Sequence, residues 1–238
     1  MRYPRIIAHR CGGALAPENT LSGLRISARL GCRGVEFDAM LSADGVPVLI
    51  HDETLERTSS GRGRVADTRV ADLAVLDAGI RHHRAFAGEP VPTLMQALEA
   101  CADLGLWANV EIKPSLGCES ETGRLVARTA TGHGNVLLSS FSIEALRQAA
   151  IVAGDLPRAL LIDAAADDSV PLMRELGAIG LHVPAHLLTE ELLQSVRKAG
   201  SALACYTVNR RDEAERLLVN GAAAVFTDRP DHWLPAEM

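Results

Sequence analysis

Residues 34–40 read GVEFDAM, an apolar run of strand length that carries two acids two positions apart. On an extended chain alternate side chains share a face, so Glu36 and Asp38 point one way and Phe37 the other. The run is one of a series. Short apolar stretches rich in β-branched residues occupy 5–8, 34–40, 107–112, 135–139, 158–162, 178–183, 202–207 and 223–227, each followed by a polar turn and then helical periodicity. That alternation is the pattern of repeated βα units. Helical segments are expected at 19–30, 93–104, 142–153, 189–199 and 212–220, several opened by a Ser, Thr or Asp cap, with Gly31, Gly105, Gly177, Gly200 and Gly221 where helices should stop. Eight strands with parallel crossovers predict an α/β fold closed into a TIM (β/α)8 barrel rather than an open doubly wound sheet. A length of 238 residues suits one such barrel, and the whole of 1–238 is read as a single domain.

One stretch breaks the rhythm. After an extended run at 46–50, the chain passes from His51 to Pro92 through SSGRGR (59–64) with little helical period. This is too long for an ordinary βα loop. It predicts a small insertion after the second strand, at about 52–92, anchored by Leu55, Val65, Val70, Leu73, Leu76 and Ile80.

With 47% hydrophobic and only 3% aromatic residues, the core must be built from Ala, Leu, Val and Ile. Lys and Arg number 24 against 30 acids, a formal charge of −6, which argues against a nucleic-acid binder. An anionic ligand must therefore meet a local positive patch. The N-terminal apolar stretch is too short for a signal peptide, and no run approaches the roughly 18 apolar residues of a membrane span. A cytoplasmic protein with no stable membrane association is expected. Five cysteines (Cys11, Cys32, Cys101, Cys118 and Cys205) are odd in number and scattered without a CxxC pair, as befits reduced thiols rather than disulfides or a zinc site. The oligomeric state is left open.

Barrel active sites gather at the C-terminal ends of strands, and polar residues are dense there: His9-Arg10, Glu36 and Asp38, His51-Asp52, then Glu111 and Lys113. Two adjacent carboxylates repel unless a cation joins them, so Glu36, Asp38 and Glu111 are candidate metal ligands. Oxygen donors without thiolates suit a hard divalent cation, Mg2+ or Ca2+. Lys113 and Arg10 place positive charge beside them. His9 and His51, with side chains that titrate near neutrality, are candidates for acid and base. His182 ends another strand and is a lesser site candidate; the remaining histidines read as surface residues.

The motifs AHR (8–10), APENT (16–20), EFD (36–38), HD (51–52), ERT (56–58), EIKP (111–114), YTVN (206–209) and TDRP (227–230) follow one another along nearly the whole chain. In this order the sequence resembles the glycerophosphodiester phosphodiesterase family, most of all its short cytosolic bacterial members. The resemblance implies a TIM barrel with a small subdomain after the second strand, hydrolysing a small-molecule glycerophosphodiester to glycerol 3-phosphate and an alcohol. It implies His9 and His51 as the acid/base pair, Glu36, Asp38 and Glu111 as divalent-metal ligands, and Arg10 and Lys113 as phosphate contacts. Glu18 and Asn19 match a motif lining the site, where Asn19 would contact ligand or nucleophile and also cap the following helix. One histidine would activate the glycerol 2-hydroxyl or a water while the other protonates the departing alcohol; both routes stay open. Two departures stand out. Cys11 follows His-Arg where many relatives have Gly, which suggests thiol-sensitive activity. Tyr206 stands where relatives often carry Trp, and it and Phe141 are candidates to pack against the glycerol or head group.

Overall fold

Strands buried on both faces need helices outside and a filled interior, and this chain supplies both. In a computed structural model, which describes residues 3–164 and 168–233, the strands are β1 (Ile6–Ala8), β2 (Gly34–Leu41), β3 (Pro47–Leu49), β4 (Trp107–Ile112), β5 (Val136–Ser140), β6 (Arg158–Leu161), β7 (Gly180–Pro184), β8 (Ala202–Tyr206) and β9 (Ala224–Thr227). All but β3 run parallel, in the order β1-β9-β8-β7-β6-β5-β4-β2, and β1 also pairs with β2. The eight predicted strands thus close into a barrel. The 46–50 run supplies the extra strand, β3, antiparallel to β2. Of the predicted 1–238 domain, residues 1–2, 165–167 and 234–238 lie outside the described residues.

Each crossover carries a helix: α1 (Leu21–Arg29), the short α2 (Val70–Leu73) within the insertion, α3 (Leu94–Leu104), α4 (Glu119–Ala130), α5 (Ile143–Val152), α6 (Ser169–Glu175), α7 (Glu190–Lys198) and α8 (Arg211–Asn220). Their ends follow local chemistry. Thr93 and Gln96 form a reciprocal capping box on α3, and Gly105 ends it in the left-handed conformation at φ 66°. The helix expected from 19 begins later: Asn19 takes φ 57°, and Thr20 is the cap, its side chain accepting from Gly23 N–H. α4 and α6 fall outside the five segments bounded from sequence, although Gly177, read there as a helix stop, does follow α6, at φ 61°. The buried face of α4 is Thr122, Gly123, Val126, Ala127 and Ala130, small residues that let it pack closely on α5.

On β2 the outward residues Val35, Phe37 and Ala39 join Leu24, Leu94 and Leu98 from the surrounding helices in the main core. The inward face is left to Glu36 and Asp38. Around the insertion, Met40, Val48, Ile50, Leu55, Val65, Leu73 and Val91 make a separate cluster, with Val70 and Leu76 against it. Ile80, an expected anchor, is instead 43% exposed. No helix among the described residues is long and apolar enough to cross a membrane.

Tyr3, Ile7, Trp107, Leu137, Ala159, Ala204, Ala224 and Phe226 fill the lower barrel interior. His182 from β7 is wholly buried, its Nε2 hydrogen-bonded to the Tyr3 hydroxyl at 3.1 Å. Burial pushes this imidazole down to about 3. The unfolded chain therefore binds a proton, with an ordinary pKa of about 6.5, that the folded chain refuses. This contribution is fully present above pH 6.5 and drains as pH falls toward 3, at about 1.4 kcal/mol per pH unit. Urea unfolding of wild type and His182→Gln at pH 7.5 and 5 should show the wild type losing about 2 kcal/mol more than the variant. Parallel losses would mean that His182 titrates alike in both states.

Candidate active site

The upper strand ends bring the predicted acids together. Register sets Asp38 beside Glu111 and Glu36 beside Asn109 across β2 and β4. One oxygen from each of Glu36, Asp38 and Glu111 lies within 4.8 Å of the others, and Glu36 and Asp38 are almost wholly buried. Burial, then the charge of Asp38, pushes Glu36 up to about 8 and Glu111 up to about 7. With no cation beside them, such groups hold protons near neutral pH. Glu36 Oε1 is buried without a hydrogen-bond partner. An unsatisfied oxygen in an all-carboxylate cluster fits a hard divalent cation.

The loop after β1 is bent to serve this cluster. Arg10 and Cys11 adopt φ 49° and 74°, left-handed values that cost non-glycine residues about 1–3 kcal/mol each. The bend aims Arg10 N–H at Glu36 Oε2 (2.8 Å) and Cys11 N–H at the Glu36 carbonyl (2.7 Å). Asn19 then grips Asp38 twice, donating to Oδ2 at 2.8 Å and accepting its backbone N–H at 3.0 Å. It supports a carboxylate from behind rather than lining the cavity. Cys11 is wholly buried and burial pushes its thiol well up, so the expected thiol sensitivity has no accessible group behind it.

Each candidate histidine is held by an aspartate. His9 Nδ1 meets Asp228 Oδ1 at 2.7 Å, while Asp228 Oδ2 accepts from Asn209 Nδ2 at 2.9 Å and Asp228 N–H donates to Asn209 Oδ1 at 2.8 Å. Burial pulls His9 down, but the Asp228 hydrogen bond and the nearby Glu36 charge outweigh it and leave its pKa raised. His51 Nδ1 meets Asp52 Oδ1 at 2.8 Å, and Lys113 Nζ lies 2.8 Å from His51 Nε2. An ammonium only donates, so Nε2 accepts and the His51 proton sits on Nδ1 toward Asp52. Burial is the chief reason its pKa is lowered. Lys113 Nζ also reaches Glu111 at 3.3 Å and Asp38 at 3.6 Å. Sequence alone assigns no role to the partners Asp228 and Asn209, although both fall within quoted motifs, TDRP and YTVN.

Nine of the ten predicted residues line one cavity of about 180 Å3: His9, Arg10, Glu36, Asp38, His51, Glu111, Lys113, Phe141 and Tyr206. Phe141 and Tyr206 make one wall, edge to face with centroids 6.2 Å apart, and Tyr206 Oη donates to the Ile162 carbonyl at 2.6 Å. Phe141 is 42% exposed. Arg10 Nη1 donates to Glu18 at 3.1 Å, while its Nε has no hydrogen-bond partner. Asn109, His182 and Phe226, not among those nine, also line the cavity. The arrangement gathers two histidines, two cationic side chains and a carboxylate cluster around one small cavity.

Comparison with known proteins bears on what that space receives. Residues 9–232 match the model of the glycerophosphoryl diester phosphodiesterase family. A glycerophosphodiester phosphodiesterase of Caldanaerobacter subterraneus is 33% identical over 230 residues, covering 95% of this chain and 94% of that protein. One from Bacillus subtilis is 30% identical, covering 94% and 83%. Among solved structures, an Oleispira antarctica phosphodiesterase in complex with the product sn-glycerol-3-phosphate superposes with a TM-score of 0.91 at 34% identity, covering 96% of this chain and 94% of that one.

Proposed function

The chain belongs to the glycerophosphoryl diester phosphodiesterase family, and from that membership we propose a metal-dependent, two-histidine hydrolysis of glycerophosphodiesters to sn-glycerol 3-phosphate and an alcohol. The observation that carries this reading is the convergence of three buried carboxylates and two aspartate-held histidines on one small cavity. The product bound by the Oleispira antarctica relative is the product proposed here.

Glu36, Asp38 and Glu111 would hold Mg2+ or Ca2+, which neutralises phosphoryl charge as it develops. Arg10, whose Nε lacks a hydrogen-bond partner, and Lys113 contribute fixed positive charge to the same phosphate. Hydrogen bonding divides the proton work between the histidines. His51 Nε2 carries a lone pair, now met by Lys113, and Asp52 holds its Nδ1 proton, the arrangement of a base for the glycerol 2-hydroxyl or a water. His9, with Asp228 on Nδ1 and Nε2 3.9 Å from Glu36, faces a carboxylate on either side and is arranged to carry the proton given to the departing alcohol. Asp228 and Asp52 do not react; they fix ring orientation, as does Asn209 through Asp228. Phe141 and Tyr206 supply the apolar wall against which the glycerol or head group packs. Barrel and insertion are read as one domain, since Met40 of β2 and Val48 of β3 belong to the insertion's own apolar cluster, acting in the cytoplasm on a soluble substrate.

Purified protein should release glycerol 3-phosphate from glycerophosphocholine or glycerophosphoethanolamine, lose that activity in chelator, and regain it with Mg2+ or Ca2+. Undiminished turnover in excess chelator would remove the metal from the reading. Phosphorus NMR of the reaction should end at the phosphomonoester; accumulation of a cyclic phosphate as the final product would make the protein a lyase. His9→Ala and His51→Ala should each lower kcat by roughly 10²–10⁴-fold with circular dichroism unchanged. Near-normal rates in either variant would strike that histidine from the mechanism.

A further inference from the structure

Six positions beyond His51, within ERT (56–58), Arg57 lies in the insertion rather than on the barrel, yet its guanidinium closes a chain of contacts back to the cavity. Nε and Nη2 donate to Asp52 Oδ2 (2.5 Å) and Oδ1 (2.8 Å). Nη1 and Nη2 donate to Glu18 Oε2 and Oε1, both at 2.8 Å. A single planar fork thus holds two carboxylates, one along each edge, which a lysine ammonium does not do. Asp52 Oδ1, fixed in this way, is the oxygen that meets His51 Nδ1. Glu18 is braced in turn by Arg10, which lines the cavity.

Two features argue that this contact serves more than the fold. The Arg57 side chain is 47% exposed, and ion pairs at such positions stabilise proteins little. Asp52 is itself partly exposed, so without Arg57 its carboxylate is free to rotate toward water and release the imidazole. Proton transfer is sensitive to small errors of orientation, whereas folding is not.

We propose that Arg57 is a positioning residue that fixes the His51 ring through Asp52, so that the insertion is a working part of the reaction and not only a rim around the cavity. The proposal rests on the reading of His51 as an acid/base group. Asp52→Ala should mimic loss of Arg57, because both act on one hydrogen bond.

The test is steady-state kinetics on glycerophosphocholine with Arg57→Ala, Arg57→Lys, His51→Ala and the double variant Arg57→Ala/His51→Ala. Arg57→Ala should lower kcat by roughly 10- to 100-fold, the scale known for outer partners that orient metal-bound histidines, with KM changed less than about two-fold. Arg57→Lys, which keeps the charge and loses the fork, should recover little. In the His51→Ala background the second substitution should have no further effect, an outcome that a merely structural role would not produce. Wild-type kcat in Arg57→Ala, or an equal loss in both backgrounds, would overturn the proposal. If Arg57→Ala fails to fold, Arg57→Lys decides in its place: a low kcat supports the proposal and a near-full kcat overturns it. Near-normal turnover in His51→Ala would instead defeat the underlying reading of His51, so the two failures are distinguishable.

Discussion

Three carboxylates that cannot all be charged in a buried space govern the rest of this molecule. Glu36, Asp38 and Glu111 crowd one another inside a barrel that keeps water from the first two. Their repulsion and desolvation raise Glu36 and Glu111 toward neutrality, the response of acids crowded into a buried space. Other parts answer that constraint. The left-handed bend at Arg10 and Cys11 supplies backbone N–H groups to Glu36, Asn19 clamps Asp38, and Lys113 stands against Glu111.

The same crowding resolves the difficulty of a net-acidic protein for an anionic substrate. A formal charge of −6 repels phosphate at a distance, but Arg10 and Lys113 are drawn to the carboxylates and held at the cavity wall. The positive patch is therefore a by-product of the acids. Surface charge plays no part in it. The two histidines divide along similar lines, one between carboxylates and one between a carboxylate and an ammonium, so identical side chains meet opposite surroundings within one cavity.

What can be read from sequence is local. Period-two spacing places Glu36 and Asp38 on one face, and the alternation of apolar runs and helical stripes points to the barrel, because both signals lie within a few residues. What escapes is either masked or distant. The close seating of α4 on α5 is a contact between elements that no local pattern reports: a Cβ at Gly123 would sit 2.3 Å from the Ala145 carbonyl oxygen. Asn19 suits a helix cap by residue type, yet its positive φ turns the side chain to Asp38 and hands the cap to Thr20. Asp228 and Asn209 gain meaning only through partners on neighbouring strands, and Ile80 resembles an anchor because hydropathy does not report which face of a loop is covered.

His9 and Asp228 lie 219 positions apart in the chain, and β1 is sealed on one side by β2 and on the other by β9. During synthesis His9 emerges 219 residues before its aspartate partner. A growing chain can assemble the helices and the insertion cluster as they appear, but His9 has no orienting partner until β9 docks against β1. A chain halted before β9 would thus carry Glu36, Asp38 and Glu111 yet leave His9 without the aspartate that orients it.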